Sequence, residues 1–369
     1  MSMKRSFLSL TILLSCLLTL LSGCNRNKPE NTTYRGDTAH SGLFKSEGPR
    51  TLKGTAWIAT SGYAIVGSGI THNSAVYFGS MDHKLYAYDF ATGQKKWEFD
   101  TGASILGSPA AFKKSILIAD NGGMLRSIDS AAGKEEWKFS AGAELRATPL
   151  IVDGVAYIGS MGGKLYAVDA KAGTVIWTAE FGGPIGAAAT CSNKTLFVTT
   201  VRGVLHAVDI ASGKPRWSLA TGGEIVATPA VGDGVVYVGS RDRKFYAVDM
   251  QAGTVKWQFR AGNEVASAAA LAGGMVIFGC DDGRVYALDA ATGALKWQQT
   301  TQGMVNGSPA VGGEVVYFGS RDSQLYAVDL KTGNKLWSFK AGGWIRSAPT
   351  LAGKKVLFGA DDGKFYLLE

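Results

Sequence analysis

Hydrophobic and polar positions alternate in short runs that recur every forty residues along the chain. One unit holds Val236 to Ser240 and Lys244 to Asp249, with the polar turn Arg241-Asp242-Arg243 between them. Alternating β-branched and aromatic residues bounded by Gly and Asp are typical of β-hairpins. A run after each Ser/Thr-Pro and a run around each Trp bring the unit to four short strands. Four-stranded units at this spacing predict an all-β propeller.

The repeat is anchored by the pattern Asp-x-x-x-Gly-x-x-x-Trp. A Trp in each outer strand buries a large amphipathic ring between neighbouring units and can find a partner for its N–H. The Gly suits a turn with positive φ, and the Asp can bond its own turn backbone. We therefore predict a structural docking role for this column, whose seven copies are Asp89/Gly93/Trp97, Asp129/Gly133/Trp137, Asp169/Gly173/Trp177, Asp209/Gly213/Trp217, Asp249/Gly253/Trp257, Asp289/Gly293/Trp297 and Asp329/Gly333/Trp337.

The two ends of the array predict how the ring closes. The last unit stops at Glu369, before any Trp strand, whereas Trp57 stands forty residues before Trp97 with no hairpin ahead of it. The first strand therefore supplies the outer strand that the last unit lacks. This predicts a domain over residues 55–369 with eight blades of four strands, in which closure removes the exposed sheet edges.

The N-terminal segment is predicted to be a secretion signal, residues 1–23. Lys4 and Arg5 precede an apolar run, Phe7 to Leu21, that is too short to span a bilayer comfortably. The run ends at Leu21-Ser22-Gly23-Cys24, which resembles the bacterial lipobox and implies that Cys24 is acylated and anchors the mature protein.

The residues after this cysteine are predicted to form a tether. Residues 24–54 are polar and lack strand periodicity, which predicts a flexible connection between membrane and domain. Arg35-Gly36-Asp37 is interpreted as part of this linker. Asn25 stands where an Asp would imply inner-membrane retention, so the resemblance implies an outer-membrane lipoprotein that faces the periplasm.

Charge and cysteine content narrow the function classes. The formal net charge of +8 falls to about +6 without Lys4 and Arg5, and the basic residues are dispersed. Nucleic-acid binding requires a clustered basic face, so we expect none. Cys191 and Cys280 fall two blades apart, and we expect no disulfide between them. The chain has no CxxC pair and only four scattered histidines, so no zinc site is predicted, and no pattern indicates a homo-oligomer.

The unit from Gly234 to Trp257 resembles the quinoprotein-type (PQQ-like) propeller repeat with its tryptophan docking motif, and the resemblance covers about residues 50–369. Quinoprotein dehydrogenases, which bind pyrroloquinoline quinone (PQQ), share this unit with lipoproteins of the BamB family, accessory subunits of the outer-membrane β-barrel assembly machine. The dehydrogenases require a divalent cation, a carboxylate base and often a vicinal disulfide. This chain has no adjacent cysteines and no long interblade insertion. We therefore expect no cofactor and no catalysis.

Recognition must then lie where the copies differ. In propellers, the loops that enter the innermost strands and the hairpin turns of the middle strands share one face. On it we predict a partner-binding or ligand-binding set: Glu144, Leu145, Arg146, Glu224, Glu264, Asn306, Trp344 and Arg346, with Arg241 and Arg321 from the turns and Arg202, Arg243, Asp242 and Asp322 near them.

Three functions remain open for this face. The first is a membrane-anchored scaffold whose protein partner is an outer-membrane β-barrel assembly protein. The others are a PQQ-binding dehydrogenase and an envelope propeller that binds a small molecule or glycan without chemistry. Asp281-Asp282-Gly283 and Asp361-Asp362-Gly363 are interpreted as hairpin turns, because they lack the spaced oxygen ligands of a calcium loop.

Overall fold

A computed structural model describes residues 32–369, and its strands form eight sheets arranged as the blades of a propeller. The predicted fold class and blade number are confirmed. The described part contains one short 3-10 turn, Tyr34–Gly36, and none of its helices is long and apolar enough to cross a membrane. The predicted signal peptide and the acylated Cys24 lie outside the described residues and stay predictions.

Each blade contributes one strand to each of four rings, and blade 1 begins at β3. The innermost strands are β3 (Ile70–His72), β7 (Ala110–Phe112), β11 (Leu150–Val152), β15 (Thr190–Ser192), β19 (Ala230–Gly232), β23 (Ala270–Ala272), β27 (Ala310–Gly312) and β31 (Thr350–Ala352). The second strands are β4 (Ala75–Gly79), β8 (Ser115–Ala119), β12 (Val155–Gly159), β16 (Thr195–Thr200), β20 (Val235–Gly239), β24 (Met275–Gly279), β28 (Val315–Gly319) and β32 (Lys355–Gly359).

The two outer rings complete the blades. The third strands are β5 (Lys84–Asp89), β9 (Met124–Asp129), β13 (Lys164–Asp169), β17 (Val204–Asp209), β21 (Lys244–Asp249), β25 (Arg284–Asp289), β29 (Gln324–Asp329) and β33 (Lys364–Leu368). The outermost strands are β6 (Lys95–Asp100), β10 (Glu135–Ser140), β14 (Val175–Glu180), β18 (Pro215–Ala220), β22 (Val255–Arg260), β26 (Leu295–Thr300), β30 (Lys335–Lys340) and β2 (Thr55–Thr60).

The ring closes as the end of the array predicted. The first long strand, β2, pairs antiparallel with β33, and Trp57 lies opposite Leu367. Beyond the strands, the Gly54 N–H donates to the Glu369 carbonyl at 3.1 Å, and the Glu369 N–H donates back to the Gly54 carbonyl at 3.0 Å. Blade 8 therefore joins the two ends of the propeller.

The Trp column docks each blade onto the next. In blade 4 the Trp217 indole N–H donates to the Met250 carbonyl of blade 5 at 3.1 Å. A Cβ added at Gly253, where φ is +70°, would lie 2.6 Å from the Trp217 ring, so only glycine fits there. The same indole bond is made by Trp57 to Phe90, Trp97 to Ser130, Trp177 to Ile210, Trp257 to Ala290 and Trp297 to Leu330.

Trp137 departs from this pattern. Its Nε1 is buried and has no hydrogen-bond partner within residues 32–369. The ring nevertheless packs over the docking turn of the next blade, because a Cβ added at Gly173 would lie 2.7 Å from it. The contact with the turn is made by ring carbons, so blade 2 docks on blade 3 by packing without the indole bond. A buried N–H without a partner carries a free-energy cost that the paired indoles avoid.

In the described residues, no docking turn follows β33 in blade 8. The Trp337 indole N–H donates instead to the Pro49 carbonyl at 2.9 Å. Leu52 packs against the same cluster as Leu336 and Trp337. The segment that precedes β2 therefore replaces the missing turn.

Residues 32–44, which we call the channel strap, cross the central channel. Arg35 and His40 are 3% and 1% exposed, and β1 (Leu43–Phe44) pairs in parallel with β27. Strap carbonyls accept hydrogen bonds from the middle N–H of five innermost strands, in the pairs Thr32 with Ala111, Thr38 with Cys191, Ala39 with Val231, Ser41 with Leu271 and Gly42 with Val311.

The strap corrects the prediction of a flexible tether over residues 24–54, for the part of that range that the structure describes. The polar composition was interpreted as a preference for solvent. Here its backbone satisfies strand N–H groups that would otherwise face the channel, and Arg35 is buried rather than part of a free linker.

Candidate functional site

The loops that enter the innermost strands and the hairpin turns between the second and third strands lie together, on what we call the loop face. The Arg241 N–H donates to the Glu224 carbonyl at 2.8 Å, and the Arg321 N–H donates to the Met304 carbonyl at 2.9 Å. Equivalent bonds recur around the ring. The docking turns lie at the other end of the strands, on the turn face.

Five charged residues of the predicted set form a charged arc on blades 3, 5 and 6: Glu144, Arg146, Glu224, Arg241 and Glu264. Arg146 pairs with Glu144 at 2.6 Å, and Arg241 lies 2.5 Å from Glu224 and 3.3 Å from Glu264. Exposed ion pairs contribute about 0 to 1 kcal/mol each. These side chains therefore largely neutralise one another.

Three large apolar side chains form an apolar arc on the neighbouring blades 7, 8 and 1. Met304, Trp344 and Tyr63 are 40%, 48% and 60% exposed. The Arg321 guanidinium lies 5.2 Å from the centre of the Trp344 ring, a cation–π contact. Within residues 32–369, Arg321 has no carboxylate at ion-pair distance, and its Nε has no hydrogen-bond partner. The arc thus combines exposed apolar surface with one arginine that makes no ion pair within residues 32–369.

Asn306 and Arg346 lie inside the arcs, at the mouth of the channel. The Asn306 amide donates to the Asp281 carboxylate, and Arg346 pairs with Asp361 at 2.9 Å. Burial raises the pKa of Asp281, although the nearby Arg321 opposes this. Asn306, Arg346 and Arg146 all line the central cavity.

Leu145 was predicted to belong to the contact set, and the structure corrects this because the side chain is buried. It is 0% exposed and packs with Leu117 and Ile158 between blades 2 and 3. Its N–H donates to the Asp120 carbonyl at 3.2 Å, which fixes the side chain in the core. Ile345, at the same position of its repeat, is 1% exposed.

The turn aspartates serve their own blades. The Tyr246 hydroxyl donates to Asp242 at 2.5 Å, and the Gly222 N–H donates to the same carboxylate at 2.9 Å. Asp322 accepts the Tyr326 hydroxyl at 2.7 Å in the same way. Arg202 and Arg243 lie in the hairpin turns near them. In the described part of the chain, no three His, Cys, Asp or Glu residues are placed to hold a metal ion.

The central cavity opens on the loop face and has a volume of about 190 Å³. Every blade contributes backbone and small side chains to its wall, among them Ser108, Thr148 and Ser308. Tyr34 of the channel strap also lines it, and no Asp or Glu of the described residues does. The cavity is therefore polar and without negative charge.

Two features of this face escaped the sequence analysis. Tyr63 was missed because the comparison of copies began one residue later, at Ala64. The equivalent position is small or polar elsewhere, as in Ala103, Ala143 and Gly183, so an alignment extended by one residue would have found it. The channel strap has no second copy, and therefore no repeat signal could indicate it.

Sequence comparison matches the family described as "Outer membrane protein assembly factor BamB" over residues 54–190, 162–308 and 281–369. These matches span the propeller. Comparison with curated proteins gives no match.

Solved structures with the same fold come from both groups that the repeat resembles. BamB from Moraxella catarrhalis is 18% identical, with a TM-score of 0.75, over 86% of this chain and 99% of that one. Quinohemoprotein alcohol dehydrogenase from Comamonas testosteroni is 15% identical, with a TM-score of 0.81, over 93% and 81%. A europium-containing methanol dehydrogenase is 14% identical, with a TM-score of 0.79, over 92% and 98%. At these identities the likeness shows the fold alone.

Proposed function

The chain belongs to the family described as outer membrane protein assembly factor BamB, and from this premise we propose that it is a non-catalytic scaffold of the cell envelope. It assists the assembly and insertion of β-barrel proteins into the outer membrane. Its partner is a protein of the barrel-assembly machinery, which docks on the loop face.

The apolar arc is the observation that carries this proposal. Tyr63, Met304 and Trp344 are exposed on three neighbouring blades, where most of the described large apolar residues are buried. Exposed apolar side chains on one face are typical of interaction sites, and Trp, Tyr and Arg are the residues that most often dominate binding energy at protein interfaces. Arg321 supplies the arginine beside Trp344. The self-paired charged arc suits the polar rim of such an interface better than its centre.

Anchoring through Cys24 would hold the propeller close to a membrane. Thr32, where the channel strap begins, lies eight positions after Cys24. A chain of this length reaches about 28 Å at most. The proposed anchor therefore confines the ring to the membrane surface, where barrel assembly takes place.

Site-specific photo-cross-linking in whole cells tests the proposal. A photoreactive amino acid replaces Tyr63 or Trp344, and adducts are identified by mass spectrometry. We expect both positions to capture a protein of the outer-membrane barrel-assembly machinery. The matched control replaces Lys171, which is exposed in a docking turn on the turn face and should give no such adduct.

Two outcomes would contradict the proposal. Equal adducts from Lys171 and Trp344 would show random contact rather than docking. Cross-linking of Trp344 only to soluble periplasmic proteins would place the chain outside barrel assembly.

Quinone-dependent dehydrogenation is a second candidate function, because two of the similar structures are dehydrogenases. The cavity does not fit this chemistry. Its lining offers no carboxylate to act as a base, and no cluster of metal-ligand residues occurs in residues 32–369. Titration with PQQ plus calcium tests the candidate directly: saturable quenching of tryptophan fluorescence together with dye-linked alcohol oxidation would replace the scaffold proposal.

A further inference from the structure

The central cavity is bounded on one side by the channel strap. The strap crosses the channel at the level of the innermost strands, and its Tyr34 lines the pocket. Its volume is about 190 Å³. A compound of low molecular weight fits within it, whereas a folded domain or a polymer does not.

The wall of the pocket carries hydroxyl groups that can donate hydrogen bonds. The Ser68 N–H donates to Ser108 Oγ at 2.8 Å, and the Ser108 N–H donates to Thr148 Oγ1 at 2.9 Å. On the far side, the Ala268 N–H donates to Ser308 Oγ at 3.0 Å. Each hydroxyl accepts from a neighbouring blade and keeps its own hydrogen as a donor. Ser68 Oγ, in a residue only 3% exposed, has no hydrogen-bond partner in residues 32–369.

Arginine side chains lie at both ends of the pocket, and the two at the mouth each pair with one carboxylate. Arg146 and Arg346 line it near the mouth, and each retains guanidinium donors beyond those that its carboxylate partner uses. Arg35 lies beside the floor, where its guanidinium donates to the carbonyls of His40 and Ala269. Ala269 directly follows the lining residue Ala268.

The buried Arg35 makes no ion pair in the described part of the chain, and Asp37 acts on its charge only from beyond ion-pair distance. Burial lowers its pKa, which reports the desolvation of its charge. A buried cation is costly unless an anion and good hydrogen bonds compensate it. An anion in the pocket would supply that compensation across the floor.

We propose that the pocket binds a small, multiply charged carboxylate or phosphate compound, which enters from the loop face. Arg146 and Arg346 bind its anionic groups, and arginine is suited to this because its planar fork matches carboxylate and phosphate oxygens. The wall hydroxyls donate hydrogen bonds to the remaining oxygens of the compound. The positive charge of Arg35, beside the floor of the pocket, attracts the bound anion. This binding is separate from the docking on the apolar arc.

Isothermal titration calorimetry of the purified full chain tests the proposal. The probes are inorganic phosphate, succinate and citrate, with glucose as the neutral comparison. We expect saturable one-to-one binding of at least one anion, weakened by added salt, and no heat with glucose. Arg346→Gln and Arg146→Gln should each weaken the affinity about tenfold or more, because each removes charge-assisted hydrogen bonds.

Two further variants separate the pocket from general charge effects. Arg216→Gln is the matched control, since Arg216 pairs with Asp209 at 2.7 Å on the turn face, and it should leave affinity unchanged. Ala188→Asp places a negative charge in the pocket wall and should abolish binding, with folding verified by its melting temperature.

The binding measurements test the pocket independently of the scaffold function. Absence of saturable binding with all three anions, or binding that Arg346→Gln and Arg146→Gln leave unchanged, would overturn the proposal. Loss of cross-linking at Tyr63 and Trp344 with intact anion binding would overturn the scaffold function alone.

Discussion

The turn face and the loop face are built from the same repeats but have opposite properties. On the turn face, Trp217 contacts Gly253 and Met250 in a ring-over-glycine geometry that recurs from blade to blade. On the loop face, Trp344 is 48% exposed and is stacked only by Arg321. Tryptophan thus joins neighbouring blades on the turn face, whereas on the loop face it is exposed and available to a partner.

This difference shows where selection for stability and for recognition can act separately. A docking turn must keep its glycine and its aspartate so that it can receive the indole of the preceding blade. A gap at one junction would weaken the whole circle of blades. Even Trp137, whose N–H is unpaired, keeps its contact with Gly173. A loop-face position has to satisfy only its backbone bond to the adjacent hairpin, which leaves its side chain unconstrained.

The largest effect is expected from Trp217→Ala. The change removes an interblade ring and its hydrogen bond to Met250, so the free energy of unfolding should fall by about 3 kcal/mol. Chemical denaturation monitored by circular dichroism measures it. A loss below 1 kcal/mol for Trp217→Ala, against the roughly 3 kcal/mol typical of buried aromatic truncations, would show that the docking column is not the main interblade contact.

Matched phenylalanine variants separate the ring from its hydrogen bond. Trp217→Phe keeps a ring but loses the N–H bond, and should cost about 1 kcal/mol more than Trp137→Phe, because Trp137 has no such bond to lose. The same denaturation measurement compares the two. Equal losses would mean that the indole bond adds nothing to docking.

The second-largest loss of stability is expected from a change in the channel strap. Gly42 has φ of +66°, and an added Cβ would lie 3.0 Å from the Ala270 Cβ and 3.1 Å from the Pro309 carbonyl oxygen. Gly42→Ala should therefore cost about 2 kcal/mol and expose the Cys191 and Leu271 amides to hydrogen exchange. Gly102→Ala is the control, because φ there is +81° but nothing lies within 4 Å. Equal exchange in both variants would mean that the strap is not held as described.

Alkaline pH should have a smaller, gradual effect. Burial raises the pKa of Cys191 to about 11 and that of Cys280 to about 12. An unfolded thiol ionises near pH 8.5. The folded thiols hold their protons longer, so this stabilisation is complete below about pH 8.5 and is lost as pH rises toward 12. At about pH 8, below that unfolded value, mass spectrometry should find neither cysteine labelled by a thiol reagent until denaturant is added, and rapid native labelling would contradict their burial.

The smallest effect on stability is expected from Trp344→Ala. Truncation of this exposed ring should change the free energy of unfolding by at most about 0.5 kcal/mol. The same variant should reduce capture of the partner in cells, measured from a photoreactive group at Tyr63. A stability loss as large as that of Trp217→Ala would remove the distinction between the two faces.

The ring and its closure were predictable because they rest on repetition. The spacing of Trp57 from Trp97 indicated an outer strand without a blade of its own, and β2 pairs with β33 as that spacing requires. The sharing of one face by the two loop types followed from the order of strands within a repeat.

The contacts of individual residues were not predictable in the same way. The polar character of residues 32–44 was interpreted as solvation, yet these residues bond to strands far away in sequence. Leu145 was judged by its neighbours Glu144 and Arg146, whereas its apolar equivalents in the other repeats already indicated a core position. Trp137 matches its column in sequence but not in hydrogen bonding, because a repeat pattern specifies where a ring lies and not whether its N–H meets an acceptor.

The pairing of β2 with β33 also sets the order in which the protein can fold. Residues 55–60 are made first and residues 364–368 last, so their contact joins the two ends of the array. Blades 1 to 7 are built from hairpins whose contacts are local and form early, whereas the closing contact carries the largest loop-closure entropy. We therefore expect blade 8 to form last, with both ends of the array unpaired until β2 meets β33.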